Sequence, residues 1–405
     1  MRILLIHRYF WPDTPPYASM LRSIGKRLVD EGHEVSVLST QPSYKKNVSF
    51  KKQGAREEID GIKVYRFSLF REHGRHVIFR LINIASFTIG VFCFSLLKGR
   101  FDIIMASTFP PVVLGFAAAM AAKITGASFF YHCMDIHPEI GRISGEFNNP
   151  LVYNLLRHID NMTCMAAKRV IVLSEDMKRS LMTRPNCRQD NIYIINNFPL
   201  PNYTDSTSSA DSMLKSKGKF RVIFTGNLGR FQKLELFIEA MKELTHRPMI
   251  EMVFVGEGLA LDTLQENACE MKNIRFFPHQ NVSVVRKIIA DADLGVVSLA
   301  KGIYQFAFPS KTMTYLVEGC PLLVVVEPES QLAHFVESSN IGMHVTPDQP
   351  KSIAHAIESI YLDEERKQRM SSAAKKIGDE MFSEVSVLET WTSLVNGAVS
   401  EHNDT

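Results

Sequence analysis

The run Phe129-Phe130-Tyr131-His132-Cys133-Met134-Asp135-Ile136-His137-Pro138-Glu139 leaves an apolar stretch and enters a polar one. His132, Asp135, His137 and Glu139 can each hold or move a proton, and all fall within eight residues. At the C-terminal edge of a parallel sheet, such groups stand where α/β folds place their ligands. A lone strand-end histidine is more often a satisfied core residue, but His132, Asp135 and Glu139 together point to a site. The opening loop, Tyr9 to Ser19, also follows an apolar run and precedes a helix pattern, so Tyr17 and Ala18 belong on the same edge.

A different chemistry is written in the second half. Val222-Ile223-Phe224-Thr225-Gly226-Asn227-Leu228-Gly229-Arg230-Phe231-Gln232-Lys233 is a buried strand that ends in two glycines before a helix begins near Leu234. Glycines allow close backbone approach to a ligand, and a helix start offers unpaired N–H groups to an anion. Asn227, Arg230, Gln232 and Lys233 add donors and charge. The pattern is neither GxGxxG nor a P-loop, and on its own a strand–Gly–helix turn is often only a turn. Gly256-Glu257-Gly258 is a second such turn. Pro309-Ser310-Lys311, with Thr314 and Tyr315 following, opens a later helix, and its hydroxyl, ammonium and free amides suit a diphosphate. In isolation it reads equally as a capped helix with a surface lysine.

The elements that must position these groups are legible as two series of short apolar runs alternating with helical stretches. The first series is 3–6, 35–38, 64–67, 103–105, 129–132, 170–173 and 192–195. The second is 222–224, 252–255, 274–277, 294–297, 322–326 and 343–345. Continuous apolar runs predict strands buried on both faces, hence two doubly wound α/β domains, 1–198 and 220–384, facing across an interdomain cleft. The Pro- and Ser/Thr-rich stretch 199–219 is the expected linker, and a last helix, about 385–405, is long enough to return to the first domain.

Composition agrees with a globular chain: of 405 residues 45% are apolar and 22% charged, which excludes disordered, collagenous and disulfide-scaffold classes. The net charge of +3 hides an asymmetry, because residues 1–200 carry +10 and residues 201–405 carry −7. Residues 45–100 alone carry +8, which suits an anionic partner, although uneven solvated charge would look the same. The six cysteines lie far apart with no metal-ligand spacing, so reduced thiols are expected and neither a zinc site nor a disulfide framework. The apolar run at 3–6 is too short for a signal peptide and reads as a cytosolic strand. Leu81–Leu97 is 17 residues without a charge, bracketed by Arg80 and Lys98. We read it as a core-packed helix with a narrow polar stripe (Arg80, Asn83, Ser86), with docking on a bilayer as the alternative.

At these motifs the chain resembles retaining glycosyltransferases of family 4, which have the GT-B fold, and within them the enzymes of bacterial surface-polysaccharide assembly (O-antigen, capsule, exopolysaccharide). The resemblance spans nearly the whole chain, including Gly32-His33-Glu34-Val35 and the segments around 131–139, 224–240, 253–258, 273–278 and 292–321. It implies that Asn227, Gly229, Arg230, Gln232, Lys233, Ser310 and Lys311 bind the donor diphosphate. It implies that Gly256, Phe277, His279, Pro309, Thr314 and Tyr315 line the nucleoside or sugar. His132 and Asp135 would be catalytic, and Tyr17, Ala18 and Glu139 would face the acceptor. Two departures stand out: Pro15-Pro16-Tyr17-Ala18 replaces the usual double glycine, and Thr314 replaces a ribose-binding glutamate.

The expected reaction moves a sugar from a UDP-linked donor to a saccharide hydroxyl on a lipid diphosphate carrier, with retention. No cofactor or metal is expected, since cations and helix starts neutralise the leaving diphosphate. The chain would then be cytoplasmic, peripheral on the inner face of the membrane, with no nucleic-acid partner. A UDP-sugar epimerase of the same fold and a catalytically silent binding or scaffold subunit are the alternatives. A nicotinamide dehydrogenase is disfavoured by the missing fingerprint.

Overall fold

The computed structural model describes residues 1–13, 15–43, 53–70, 77–200 and 218–403. The expected linker falls almost wholly outside the described residues, as do Lys45, Lys46, Lys51, Lys52, Arg71 and Arg75 of the basic region. The chain divides into two compact units. One comprises Met1–Asn196 with Phe306–Phe308 and Leu388–Thr405; the other comprises Asn197–Gln305 and Pro309–Val387.

The first unit runs β1 (Arg2–Ile6), α1 (Pro16–Asp30), β2 (Glu34–Thr40), β3 (Arg56–Ile59), β4 (Ile62–Phe67), α2 (Val77–Leu97), β5 (Ile103–Ser107) and α3 (Val113–Thr125). It continues with β6 (Ser128–His132), α4 (Glu139–Ile143), α5 (Pro150–Ala166), β7 (Arg169–Val172), α6 (Glu175–Met182) and β8 (Ile192–Ile194). Its eight strands lie in the order β3-β4-β2-β1-β5-β6-β7-β8. All pairs are parallel except β3/β4. β1 pairs with β2 on one side and β5 on the other, so the strand order reverses there and a crevice opens beyond their C-terminal ends. On one face, α3 lies between α2 and α5. Its run of buried alanines (117, 118, 119, 121 and 122) lets it sit close to the sheet. A side chain at Gly115 would strike the Tyr131 ring at 2.7 Å. Fully burying each Val, Leu or Ile in these strands contributes about 1.5–3 kcal/mol.

The second unit has β9 (Phe220–Thr225), α7 (Glu235–Glu243), β10 (Ile250–Val255), α8 (Leu261–Asn267), β11 (Ile274–Phe277), α9 (Val282–Ala290) and β12 (Leu294–Ser298). It then has α10 (Lys311–Val317), β13 (Leu322–Val325), α11 (Gln331–Ser338), β14 (Gly342–Val345), α12 (Pro350–Tyr361) and α13 (Glu364–Ile377). Last comes α14 (Glu384–Asn403), most of which counts with the first unit. The six strands are all parallel in the order β11-β10-β9-β12-β13-β14, with the reversal between β9 and β12. This is the doubly wound mononucleotide-binding topology.

Two local readings differ from the structure. β3 is an additional strand, charged and at the sheet edge, joined to β4 by Asp60 (φ 51°) and Gly61 (φ 77°) in a two-residue hairpin turn. A short charged strand at that position also blunts the edge. Nor is α2 a core helix, because it buries only the stripe Asn83, Phe87, Val91 and Ser95. Asn83, expected on a solvent-facing polar stripe, is inside, and its amide pairs with the backbone N–H and C=O of Phe70.

Candidate active site

In the first unit the crevice between β1 and β5 is lined by rings. His7 Nδ1 meets Ser107 Oγ across the strand ends. The rings of Tyr9 and Phe109 stack at 5.4 Å. Tyr17 enters at the start of α1, its ring edge-on to His7 at 4.6 Å and its hydroxyl 2.7 Å from His132 Nδ1. His132 is the last residue of β6, with Trp391 from α14 packed edge-on at 4.9 Å. His132 Nε2 is buried with no hydrogen-bond partner among the described residues. If the Tyr17 hydroxyl donates to Nδ1, Nε2 carries the hydrogen and can donate to a ligand; the reverse arrangement makes Nε2 an acceptor.

Burial sets the charge states here. It lowers the His132 pKa to about 3, and burial together with the His132 and Arg8 charges lowers that of His7 to about 3. Both imidazoles are therefore neutral near pH 7, and His132 offers a dipole rather than a stored proton. Burial raises Asp135 to about 6. The Asp135 backbone makes an isolated antiparallel bridge to Ala307.

In the second unit the two glycine turns interlock. Gly226 N–H donates to Val255 O, Leu228 N–H to Glu257 O and Ala260 N–H to Leu228 O. A side chain on Gly256 (φ 150°) would meet Gly226 O at 1.9 Å, and one on Gly258 would meet Leu228 O at 2.3 Å. Only glycine lets these backbones approach so closely. Asn227 Nδ2 and Gln232 Oε1 both flank Gly229, at 3.1 and 2.9 Å from where its Cβ would be. Lys233 takes a left-handed conformation (φ 47°) ahead of α7 and pairs with Glu235 at 3.7 Å. The backbone of Arg230 forms a 3-10 turn with Phe231 and Gln232, and its side chain lies outside the described residues. Lys311 reaches back from α10 so that its Nζ lies 3.5 Å from the centre of the Phe224 ring, on the strand that runs into Gly226. Burial lowers this ammonium to about pKa 7. Ser310, beside it, is exposed and caps no backbone N–H. Phe277 ends β11, and its carbonyl accepts the Gly256 N–H at 2.9 Å. His279 and Pro309 are partly exposed or exposed at the same C-terminal strand edge.

Residues 17–197 match the glycosyl transferase 4-like domain, and residues 205–377 match glycosyl transferases group 1. The two halves of this chain are glycosyltransferase-family domains. WbjE of Pseudomonas aeruginosa, named a probable glycosyltransferase, is 23% identical over 312 residues, 75% of this chain and 76% of its own. WcaI of Escherichia coli K12, whose name places it in colanic acid biosynthesis as a glycosyl transferase, is 20% identical over 98% of this chain and 100% of its own. Among solved structures, Anabaena HepE in complex with UDP superposes with a TM-score of 0.71 at 16% identity, over 98% of this chain and 100% of that one. The fold is GT-B, with two Rossmann-like domains.

Within the glycosyl transferase 4-like domain, Glu139 is occupied. Arg184 grips it in a two-point pair at 2.7 and 3.3 Å, and Arg184 also holds Asp160 at 2.5 Å, which in turn accepts from the Tyr131 hydroxyl at 2.6 Å. This buried network ties α4, α5 and β6 together, so Glu139 acts on the fold. Ala18 is fully buried and serves packing. In the group 1 domain, Tyr315 is likewise internal. Its ring fills the space over Gly295, and its hydroxyl accepts the Thr225 N–H at 2.9 Å, which pins the end of β9. Thr314 is half-buried one residue earlier.

Three further polar groups at this edge lie outside the sequence expectations: Ser298 Oγ, Thr312 Oγ1 and Glu327 Oε2 are buried, and they join Gln232 Oε1 in having no hydrogen-bond partner among the described residues. Ser298 ends β12, and Glu327 follows β13 and accepts the Gly302 N–H at 2.5 Å through its other oxygen. Both stand where a strand of the second series stops, the signal that would have found them. Asp291-Ala292-Asp293, an Asp-x-Asp sequence, lies before β12 at the opposite edge. Asp293 is used there by the Arg221 N–H and Lys367 Nζ, each at 2.7 Å.

Proposed function

We propose that this chain transfers a sugar from a nucleotide diphosphate sugar, UDP-linked, to a saccharide hydroxyl, with retention at the anomeric carbon and without a metal. The observation that carries it is the placement of the Lys311 ammonium beside β9, where that strand feeds the interlocked glycine turns. A lysine partly withdrawn from water, with no ion pair among the described residues, is under-solvated, and a diphosphate would restore what burial removed. Asn227, Ser310 and Gln232 supply further hydrogen bonds, with Lys233 and Arg230 adding charge. Gly256, Phe277 and His279 would flank the nucleoside. A Rossmann-like relative crystallised with UDP and with UDP-glucose supports this choice of donor.

The first domain would present the acceptor. His132 would orient a donor hydroxyl or phosphate through Nε2, held by Tyr17, while Asp135 holds the acceptor side. The acceptor proton then leaves on the departing phosphate. The acceptor is a saccharide on a lipid diphosphate, in the assembly of a cell-surface polysaccharide at the inner face of the membrane. The name of WcaI, which places it in colanic acid biosynthesis, supports the polysaccharide branch. A thermal-shift panel of nucleotide sugars tests the donor, since a specific ligand raises stability by mass action. Turnover is then followed with the stabilising donor and lipid-linked or soluble saccharides. Wild-type chain that binds no nucleotide sugar overturns the reading, as does Lys311→Ala with unaltered kinetics.

A further inference from the structure

We propose that α2 is a monotopic membrane anchor: its outward face lies in the headgroup–acyl boundary of an anionic bilayer. This rests on the proposed function only in so far as a lipid-borne acceptor brings the protein to a membrane. Ile78–Leu97 is apolar over 20 residues with a mean hydropathy of 1.7, yet only 22% of its most apolar stretch is buried. At 3.6 residues per turn, Asn83, Phe87, Val91 and Ser95 form one inward stripe. The opposite face presents Ile78 (70% exposed), Leu81 (59%), Ile82 (41%), Ile89 (62%) and Leu97 (84%). The inward stripe spends two of its four places on an amide and a hydroxyl, beside Phe87 and Val91, while these five large aliphatic side chains face outward. A soluble protein rarely leaves so long an apolar strip in water.

The helix is long enough to span a bilayer, but it is fastened lengthwise to its domain. Gly90 packs against the Phe67 ring, and the Asn83 amide closes on the Phe70 backbone. It therefore lies on the membrane and does not cross it. Charge selects the bilayer over a second copy of the chain. Residues 73–101 contain no Asp or Glu, while Arg80 stands at one end of the strip and Lys98 and Arg100 at the other. Two copies related by a two-fold axis would set cations against cations whether the helices ran parallel or antiparallel. Anionic headgroups match both ends at once.

The test is flotation of the full chain with vesicles of phosphatidylcholine alone or mixed with phosphatidylglycerol, with no donor or acceptor present. The wild type should bind the mixed vesicles and bind neutral ones about tenfold more weakly. Leu81→Glu with Ile89→Glu, both at exposed positions, should lower binding at least about tenfold with an unchanged melting temperature. Leu259→Glu in the other domain, at a position 83% exposed, should change nothing. An environment-sensitive dye on Cys93, exposed on α2, should shift to the blue on vesicles, while the same dye on exposed Cys269 should not. Equal recovery of wild type and double variant, a silent Cys93 probe, or a dimer in light scattering that the double variant dissolves would overturn the proposal. Vesicle binding without sugar transfer defeats only the transfer reading. Transfer to a soluble saccharide without vesicle binding defeats only this one.

Discussion

The Tyr17 hydroxyl and His132 Nδ1 lie 2.7 Å apart, joining the first turn of α1 to the last residue of β6, two elements 115 residues apart in sequence. This bond fixes the ring of His132 and leaves Nε2 without a hydrogen-bond partner among the described residues. Tyr17→Phe should cost about 1–3 kcal/mol of stability, because a buried imidazole nitrogen loses its partner. If His132 serves the reaction through this orientation, kcat should fall while the KM for donor stays put. His132→Gln should cost no more when combined with Tyr17→Phe, so a double-mutant cycle in kcat and in unfolding free energy checks the coupling.

The two buried imidazoles make stability depend on pH. Their folded pKa values are about 3, below the unfolded 6.5, so the folded state resists protonation that the unfolded state accepts. Their contribution is complete above pH 6.5 and is lost as pH falls from there toward 3. Each group accounts for up to about 1.4 kcal/mol per pH unit in that window. Urea melts between pH 7 and pH 4 should show the slope, and His132→Gln should remove about one proton of it.

Donor affinity should carry the titration of Lys311. With its free-state pKa lowered to about 7 by burial, the side chain is increasingly neutral as pH rises. Dissociation constants for the donor measured by calorimetry should weaken between pH 7 and 9, by up to about tenfold per unit. Lys311→Arg, always charged, should flatten that profile even if its absolute affinity drops. A flat wild-type profile would separate Lys311 from the diphosphate.

Gly258→Ala should act on the donor loops before anything else. Its Cβ would lie 2.3 Å from Leu228 O and 2.7 Å from Asn227 Oδ1, so backbone must move. We expect a loss of about 1–3 kcal/mol and a donor KM raised beyond what that instability explains. Gly126→Ala, at φ 77° with nothing within 4 Å, is the control: a backbone penalty of about 1 kcal/mol and normal kinetics.

Arg184→Met should cost about 3–5 kcal/mol, since buried Asp160 would lose its cation and Glu139 would keep only the half-exposed Arg157, at 3.3 Å. Enzyme that stays folded should keep its donor KM. A selective rise in acceptor KM on Glu139→Gln, with stability intact, would instead return Glu139 to the acceptor side.

The sheets could be read from the chain because strands buried on both faces are written as unbroken apolar runs. All thirteen runs correspond to strands in the structure. β3 is hard to read from the chain because Arg56-Glu57-Glu58 looks like a solvated loop, although Asp60-Gly61 before Ile62 carries the hairpin signal. Neighbours on one loop, such as Asn227 and Gln232 on either side of Gly229, can be grouped from the chain because local order follows sequence order. Roles that depend on distant partners were not legible. Nothing near Glu139 announces Arg184, and nothing near Tyr315 announces the slot above Gly295. The same holds for α2, whose hydropathy is identical whether its aliphatic side meets a core or a bilayer.

The interlock of Gly226–Leu228 with Gly256–Gly258 has a practical corollary for anyone redesigning substrate preference. Neither loop can be lengthened, shortened or borrowed from a relative on its own, because each main chain is the mould for the other. Chimeras that transplant the two turns as one cassette, with the strands β9 and β10 that hold their spacing, should express and fold. Exchanges of a single turn should come out insoluble.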